Sequence, residues 1–428
     1  MAWGKIRSGV IALVTFCIIM IVSIAVIAYG RGYRPDFRQS TIRPTGLLSL
    51  SSDPVGAQVY INGTLRTATN NSLSIEPGWY TLKIAKEGYL SWEKKVRLQG
   101  EIVVSVDPFL FPSNPSLSPV TTVGIETPVV SPDGTKVVYT IPAVAQAVDG
   151  VPAKKAGLWV YELVERPLGR NRDPIQIGIT DPTFDFSKAA IIWSPDSTQI
   201  MADNGISIRL YRTDRTNDFQ DISYTYQMTL REWDADRQAK EKVKLAVFKQ
   251  PIIDIATSSA RIIALSPDET KILYEATASA TIPQIVDPPI IGSNATEEER
   301  TIQAGKIYVY DSKEDKNYFV LGKNEIPQPK PSPTPKGKTI PDRIKLSSNT
   351  TSTVSNLYWF PTSRHLLLTL EGKIDIMEYD RTNWITVYSG PFVDGFIAPW
   401  PNGSRIIIMT NLNPDVTTLS NLYTVNLR

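Results

Sequence analysis

A short stretch near residue 131 brings together residue types that are common in reactive sites. In the segment SPDGT, Ser131 and Asp133 stand beside Gly134. A serine and an acid next to a glycine occur in phosphate-binding loops, in metal-binding loops and in turns that carry a nucleophile. The segment is therefore a reaction centre or a bend in the chain, and the rest of the sequence has to decide between the two.

The same pattern occurs five times, which favours the bend. The copies are VVSPDGTKVVYT, IWSPDSTQIMA, ALSPDETKILYEA, YWFPTSRHLLLTL and APWPNGSRIIIMT. Proline fixes φ, the next polar residue hydrogen-bonds the local backbone, and glycine accepts a positive φ, so the motif suits a turn between two strands. Thr362 and Asn402 replace the acid in the last two copies, which a catalytic carboxylate would not tolerate.

No other segment predicts a catalytic, cofactor-binding or metal-binding residue. His365 is the single histidine and Cys17 the single cysteine, which excludes histidine clusters, thiolate zinc sites and intrachain disulfides. We expect His365, at the start of an apolar strand, to be structural or solvent-facing. The sequence contains no Walker, dinucleotide-binding, zinc-protease or nucleophile-elbow motif. A net charge of +2 indicates no nucleic acid partner.

Residues 46–108 predict a small β module. Short runs of alternating apolar and polar residues are separated by Asn-Gly and Pro-Gly turns, a pattern typical of antiparallel strands in a two-layer sandwich. The landmarks PVGA, VYING, EPGWYTLKI and KEGY follow one another as in a PEGA domain, which this segment resembles, with Val55 in place of the namesake glutamate. The resemblance implies a cell-surface or envelope protein.

Four aromatic residues of this module, Trp79, Tyr80, Tyr89 and Trp92, raise the question of a ligand. Aromatic rings can stack on the apolar faces of sugars, but in so small a module we expect them to pack in the core. A sugar-binding strip is the alternative.

Residues 112–428 hold the five repeated turns, each followed by a second apolar strand. Pro361 and Pro401 are 40 residues apart, close to the length of a four-stranded propeller blade. The recurring SPDG resembles the TolB-like, WD-repeat-like β-propeller, in which it joins the first and second strands of a blade. We therefore predict an all-β fold with five blades, and residues 212–260 leave room for a degenerate sixth.

The chain ends after the third strand of the last blade. We predict that residues 116–125 supply the fourth strand and close the ring. Insertions are expected near residues 142–156, 212–242, 277–304 and 322–350.

The second of these insertions, with the segment MTLREWDADRQAKEKVKLAVF, predicts a helix between the third and fourth strands of the second blade. Its mixed charges indicate a solvated helix face, with a partner-binding helix as the alternative. By strand order, this helix leaves one face of the ring and the other three insertions leave the opposite face.

Residues 10–30 form an uncharged, mostly apolar run between a short tail, residues 1–9, and an Arg-rich spacer, residues 31–45. Such a run is long enough to span a bilayer as a helix and predicts an uncleaved transmembrane anchor. More basic residues follow the run than precede it, which opposes an exported C-terminus. The domain resemblance nevertheless leads us to expect a single-pass protein whose bulk is extracytoplasmic.

These observations favour a membrane-anchored, non-enzymatic scaffold that binds a protein partner through its propeller. Two alternatives stay open: a protein that binds cell-envelope polysaccharide, and a hydrolase or lyase with charged residues at the central channel of the propeller.

Overall fold

The computed structural model describes the backbone of residues 2–30, 33–36, 41–143, 156–164, 173–322, 325, 356–414 and 419–428. The chain divides into two compact units. The first comprises Met1–Leu110 with Val286–Glu297, and the second comprises Phe111–Ile285 with Glu298–Arg428.

The first unit begins with helix α1, Ala2–Gly30. Its large apolar side chains from Val10 to Ile27, where described, are all exposed. Over the part of the chain that the structure describes, no helix combines the length and the apolar character needed to cross a membrane. The predicted span, residues 10–30, includes Ala12, Ala28 and Tyr29, whose side chains lie outside the described residues.

Between α1 and Leu110, the first unit holds a hairpin followed by a β-sandwich. The strands are β1 (Tyr33–Asp36), β2 (Thr41–Pro44), β3 (Gly46–Leu50), β4 (Gln58–Ile61), β5 (Thr64–Ala68), β6 (Asn71–Ile75), β7 (Gly78–Ala85), β8 (Trp92–Leu98) and β9 (Val103–Val106).

Two sheets, with strand orders β6-β3-β9 and β5-β4-β7-β8, form the sandwich. Alternate residues of each strand point inward because the side-chain period of a strand is two. Leu48, Val59, Leu82 and Ile84 are fully buried between the sheets. The predicted two-layer module is confirmed.

The second unit contains five four-stranded antiparallel sheets within its described residues. Their strands are β10 (Leu117–Pro119), β11 (Glu126–Val130), β12 (Lys136–Ile141), β13 (Gly157–Glu162), β14 (Ile175–Ile179), β15 (Ala190–Trp193), β16 (Gln199–Asp203), β17 (Ile208–Arg212), β18 (Phe219–Asp221), β19 (Ala260–Leu265), β20 (Lys271–Ala276), β23 (Ile307–Asp311), β24 (Lys316–Leu321), β25 (Leu357–Trp359), β26 (His365–Leu370), β27 (Lys373–Glu378), β28 (Ile385–Ser389), β29 (Ile397–Pro399), β30 (Arg405–Thr410) and β31 (Asn421–Asn426). A short hairpin, β21 (Ala280–Thr281) with β22 (Thr301–Ile302), lies inside the third sheet's sequence.

The sheets are the blades of a propeller, and blades 1 to 4 follow one another as β11-β12-β13-β14, β15-β16-β17-β18, β19-β20-β23-β24 and β25-β26-β27-β28. Each repeated turn joins the first two strands of its blade, as predicted. The residue after the turn's polar position has a positive φ in every copy: Gly134, Ser197, Glu269, Ser363 and Gly403 lie between 58° and 71°. This shared conformation shows that the five turns are structurally equivalent.

Blade 5 has the order β29-β30-β31-β10, so its outer strand comes from the start of the unit. Leu117 pairs with Val425 and Pro119 with Tyr423. The Thr121 hydroxyl donates to Asn421 Oδ1 (3.0 Å) and accepts the Leu422 amide (2.9 Å), which fixes the same joint. The predicted closure of the ring by residues 116–125 is confirmed.

The helical insertion occurs, but the predicted place was wrong. Helix α2 (Tyr226–Leu245) and helix α3 (Gln250–Ser258) follow β18, the fourth strand of blade 2, and precede β19 of blade 3. In a propeller, the connection after a fourth strand leaves from the same face of the ring as the connection between the second and third strands. The helices therefore leave from the face that carries the other insertions, and the prediction that they leave from the opposite face was also wrong. Residues 212–260 hold these helices after β18, and they form no sixth blade.

The helices fill the seam between blades 2 and 3. Leu230 and Trp233 of α2 pack with Met201 of blade 2, whereas Ile252 of α3 packs with Ile272 of blade 3. Farther along α2, Lys240 Nζ donates to the carbonyl of Pro195 (2.9 Å) in the repeated turn of blade 2.

Among the other predicted insertions, residues 277–304 lie between the second and third strands of blade 3, as expected. Most of residues 142–156 and most of residues 322–350 lie outside the described residues.

Candidate interaction surface

The serine and the aspartate of the repeated turn bond to each other and to the local backbone. In blade 1, Ser131 Oγ donates to Asp133 Oδ1 (2.5 Å) and accepts the Lys136 amide (2.9 Å). Asp133 Oδ1 also accepts the Thr135 amide (3.0 Å). Blades 2 and 3 repeat all three bonds with their own serine and aspartate. These bonds occupy the groups that would otherwise serve as nucleophile or base.

The same hydrogen bonds set the protonation of the turns. Partial burial tends to raise the pKa of Asp133, Asp196 and Asp268, but bonds from the preceding serine and from the following threonine outweigh it, and each pKa is lowered. The turns therefore hold ionised carboxylates at neutral pH. A base with so low a pKa is a weak proton acceptor.

The turns also join neighbouring blades. The Ser197 hydroxyl of blade 2 accepts the Asp133 amide of blade 1 (3.2 Å), and Ser363 of blade 4 accepts the Asp268 amide of blade 3 (2.9 Å). The structural interpretation of the motif accounts for each of these contacts.

His365 is a core residue at the start of β26. It is 4% exposed, its Nδ1 lies 2.8 Å from Thr362 Oγ1, and the rings of Phe111 and Phe360 meet it edge-on. Thr362 takes the place of the acid in this turn, so His365 serves the turn's structure. No group of three or more potential metal ligands occurs among the described residues.

Three of the four aromatic residues considered for a sugar-binding strip pack in the β-sandwich as predicted. Trp92 is buried, and Tyr80 and Tyr89 lie against the core. Trp79 differs, because its position on β7 points away from that core and leaves it 50% exposed. Lys95 and Arg97 of β8 extend over its ring.

A more apolar surface lies at one corner of blade 2, where large side chains project from two connected turns. Ile206 is 85% exposed at the tip of the β16–β17 hairpin, Tyr224 is fully exposed after β18, and Met228 is 65% exposed in the first turn of α2. We call these three residues the blade 2 corner.

Hydrogen bonds fix both turns of the blade 2 corner. Asn204 Oδ1 accepts the amides of Ile206 (3.0 Å) and Ser207 (2.9 Å), and Asp221 Oδ1 accepts the Ser223 amide (2.9 Å). The Ile208 amide donates to Ser223 Oγ (2.9 Å), which holds the two turns together.

The blade 2 corner rests on a packed base. Ile208, Ile222, Leu230 and Trp233 form a buried cluster at this end of the blade. Single exposed apolar residues are ordinary, but several on adjoining, fixed turns are typical of protein-binding sites. The arrangement can bury apolar surface of a partner with little loss of conformational entropy.

The charged face of α2 is partly solvated and partly bound to the blades. Arg237 pairs with Asp234 one turn away along the helix, whereas Lys244 pairs with Glu269 (3.2 Å) in the repeated turn of blade 3. Val243, 72% exposed, lies on the solvent side.

Three solved structures that resemble this chain share little sequence with it. TolB of Agrobacterium tumefaciens is 11% identical, with 69% of this chain and 76% of that chain covered and a TM-score of 0.20. TolB of Acinetobacter baumannii is 14% identical over 95% of this chain and 68% of that chain, with a TM-score of 0.20. U3-55K is 7% identical over 73% of this chain and all of that chain, with a TM-score of 0.29. The propeller fold rests on the strand pairing described above.

No curated protein matches the chain. The family model described as PEGA domain matches residues 45–114, the segment that holds the β-sandwich. The sandwich at the start of this chain is therefore a PEGA domain, as its landmarks predicted.

Proposed function

We propose that this protein is a membrane-anchored, extracytoplasmic and non-enzymatic scaffold whose propeller holds a protein partner at the blade 2 corner. The observation that carries the proposal is the exposure of Ile206, Tyr224 and Met228 on two turns that hydrogen bonds hold in place. Aromatic and methionine side chains are enriched at the centres of protein interfaces.

The scaffold role is supported by what the acidic turns already do. Ser131, Ser194 and Ser266 are bonded to their neighbouring carboxylates, and the lowered pKa of each carboxylate suits a structural acceptor better than a general base.

The anchor and the location are supported by the sequence and by the PEGA domain. The uncharged run at residues 10–30 coincides with the main part of α1, and its described apolar side chains are exposed. PEGA domains occur mainly in envelope proteins, which favours an extracytoplasmic propeller. Protease treatment of intact cells should degrade the propeller, and a propeller degraded only after lysis would overturn this placement.

Partner binding is tested with the full-length chain, purified from its own membranes after brief chemical cross-linking. Ile206→Ser, Tyr224→Ser and Met228→Ser are combined in one variant. Because these side chains are exposed, we expect the melting temperature to stay unchanged while a cross-linked protein recovered with the wild type is lost.

The matched control is Val243→Ser combined with Val247→Ser, which removes exposed apolar side chains from α2 and from the turn that follows it. This control should recover the partner as the wild type does. Equal recovery by the wild type, the control and the corner variant would show that the partner binds elsewhere.

A further inference from the structure

We propose that the outer face of the PEGA sheet binds an anionic polysaccharide, with Trp79 stacked on a sugar ring and Lys95 and Arg97 paired with its acidic groups. The site goes beyond the proposed function, since it lies in the first unit and takes a different class of ligand. It does not depend on the blade 2 corner.

Strand register places these three side chains together. Trp79 is directly opposite Arg97, and the next outward position, Thr81, is opposite Lys95. Side chains at such positions of antiparallel strands lie within about 5.5 Å of each other at their β-carbons. Lys95 Nζ is 5.1 Å and the Arg97 guanidinium carbon 5.8 Å from the centroid of the Trp79 ring.

One side of Trp79 stays open to a ligand. On the side of β7 away from β8, strand β4 pairs only with Leu82–Ala85, so Trp79 lies beyond the end of that strand. The ring is half exposed, and its flanking cations are exposed as well. A planar apolar ring with a free edge and adjoining donors matches the apolar face and the ring substituents of a sugar.

Within the paired strands β7 and β8, this end of the outward face carries two cations. The acid of these two strands on the same face, Glu93, is opposite Lys83 at the far end of β7. Lys95 and Arg97 are opposite Thr81 and Trp79, which carry no charge. Both cations can therefore pair with carboxylates or other acidic groups of a ligand, and Arg does so in a bidentate manner.

Protection of a sheet edge does not explain the whole arrangement. Strand β8 is at the edge of its sheet, where charged residues discourage strand pairing. That role accounts for Lys95 and Arg97 but not for Trp79, because Trp79 is on the interior strand β7 and exposes about half of a large ring. Stacking on a ligand gives that exposed ring a function.

The test measures dissociation constants of the full-length protein in detergent for three soluble polymers. Polygalacturonate carries both sugar rings and carboxylates, dextran carries rings only, and polyglutamate carries carboxylates only. We expect polygalacturonate to bind about tenfold more tightly than either of the others, because it alone engages the ring and the cations.

Two variants separate the two contributions. Trp79→Ala should weaken the binding of polygalacturonate until its affinity equals that of polyglutamate. The double variant Lys95→Ala, Arg97→Ala should weaken the binding of polygalacturonate until its affinity equals that of dextran. The matched control, the double variant Arg231→Ala, Lys242→Ala in α2, removes two exposed cations elsewhere and should leave the binding of polygalacturonate unchanged.

Unchanged melting temperatures would show that every variant is folded. The proposal is overturned if polygalacturonate does not bind, if dextran or polyglutamate binds equally well, or if the control variant weakens binding as much as the site variants do.

Discussion

At the residue scale, the repeated turn uses side chains of a reactive type for local structure. A serine hydroxyl bridges a carboxylate and the backbone amide five residues later, as in Ser194 with Asp196 and Gln199. Ser197, the residue after Asp196, has a positive φ that completes the bend. Sequence alone predicted this role, because five copies with a changing acid are incompatible with one reaction centre.

The first prediction concerns one of these acids. Asp196→Ala removes the acceptor for the Ser194 hydroxyl and the Thr198 amide, so the free energy of unfolding should fall by about 1 kcal/mol in urea titrations. Partner recovery by the folded variant should be unchanged. Asp236→Ala, an exposed acid of α2, is the control, and loss of the partner with Asp196→Ala at an unchanged stability would contradict the structural role.

The second prediction concerns pH and a buried arginine. Arg209 lies between the rings of Phe184 and Phe219, with Nη1 2.7 Å from Asp181 Oδ2. Hydrogen bonds from Arg209 and Thr183 lower the pKa of Asp181 to about 2.

Because this folded-state pKa is below the unfolded value of about 4, the pair stabilises the fold above that pH, and the stabilisation is lost as the pH falls from about 4 to about 2. In Arg209→Met the unfolding free energy should decline less over this window than in the wild type. Arg215→Met, in an exposed pair, is the control. If the unfolding free energy of Arg209→Met falls with pH in parallel with that of the wild type, Arg209 does not lower the pKa of Asp181.

At the element scale, the helix was predictable in type but not in place. Helix formers between residues 228 and 248 indicated α2 correctly. The strand before it, β18, is three exposed residues long, FQD, and has no apolar alternation that could mark it as the fourth strand. The helix was therefore assigned to the wrong connection and to the wrong face.

The third prediction tests α2 as part of the seam. Trp233→Ala empties a buried position against Met201, and we expect a loss of about 3 kcal/mol in the free energy of unfolding. Val243→Ala on the exposed side of the same helix should change it by less than about 0.5 kcal/mol. Equal, small losses for both would mean that α2 does not pack on blade 2.

The candidate surfaces were harder to predict than the elements. Tyr80, Tyr89 and Trp92 share the core, but Trp79 is the neighbour of Tyr80 on a strand, so it must point to the other face. The alternation in GWYTLKI holds that signal. Ile206 stands in the turn sequence DNGIS, where an apolar residue breaks the usual polar composition of turns. Nothing in the sequence shows that Tyr224 and Met228 adjoin it.

At the scale of the whole molecule, closure of the propeller depends on a strand about 300 residues away in sequence from its partner, as in the bond between Thr121 and Asn421. Counting strands was enough to predict this closure. The last blade lacked a fourth strand, and residues 116–125 were the one strand-like segment not yet assigned to a blade. The hydrogen bonds that fix the joint could only be read from the structure.

The fourth prediction tests this joint. Thr121→Val keeps the shape of the side chain but leaves the Leu422 amide without its acceptor, so the unfolding free energy should fall by about 2 kcal/mol. Amides of β31 should exchange hydrogen faster than those of β26. Thr216→Val, at an exposed position between β17 and β18, is the control. Exchange that rises equally in all blades would show that the joint has no local role.

Photo-cross-linking in intact cells measures directly whether the blade 2 corner touches a partner. A photoreactive phenylalanine analogue replaces Tyr224 in one full-length protein and Val243 of α2 in another. We expect one specific cross-linked protein from position 224, lost when Ile206→Ser and Met228→Ser are added, and none from position 243. The same products from both positions, or none from either, would contradict this expectation.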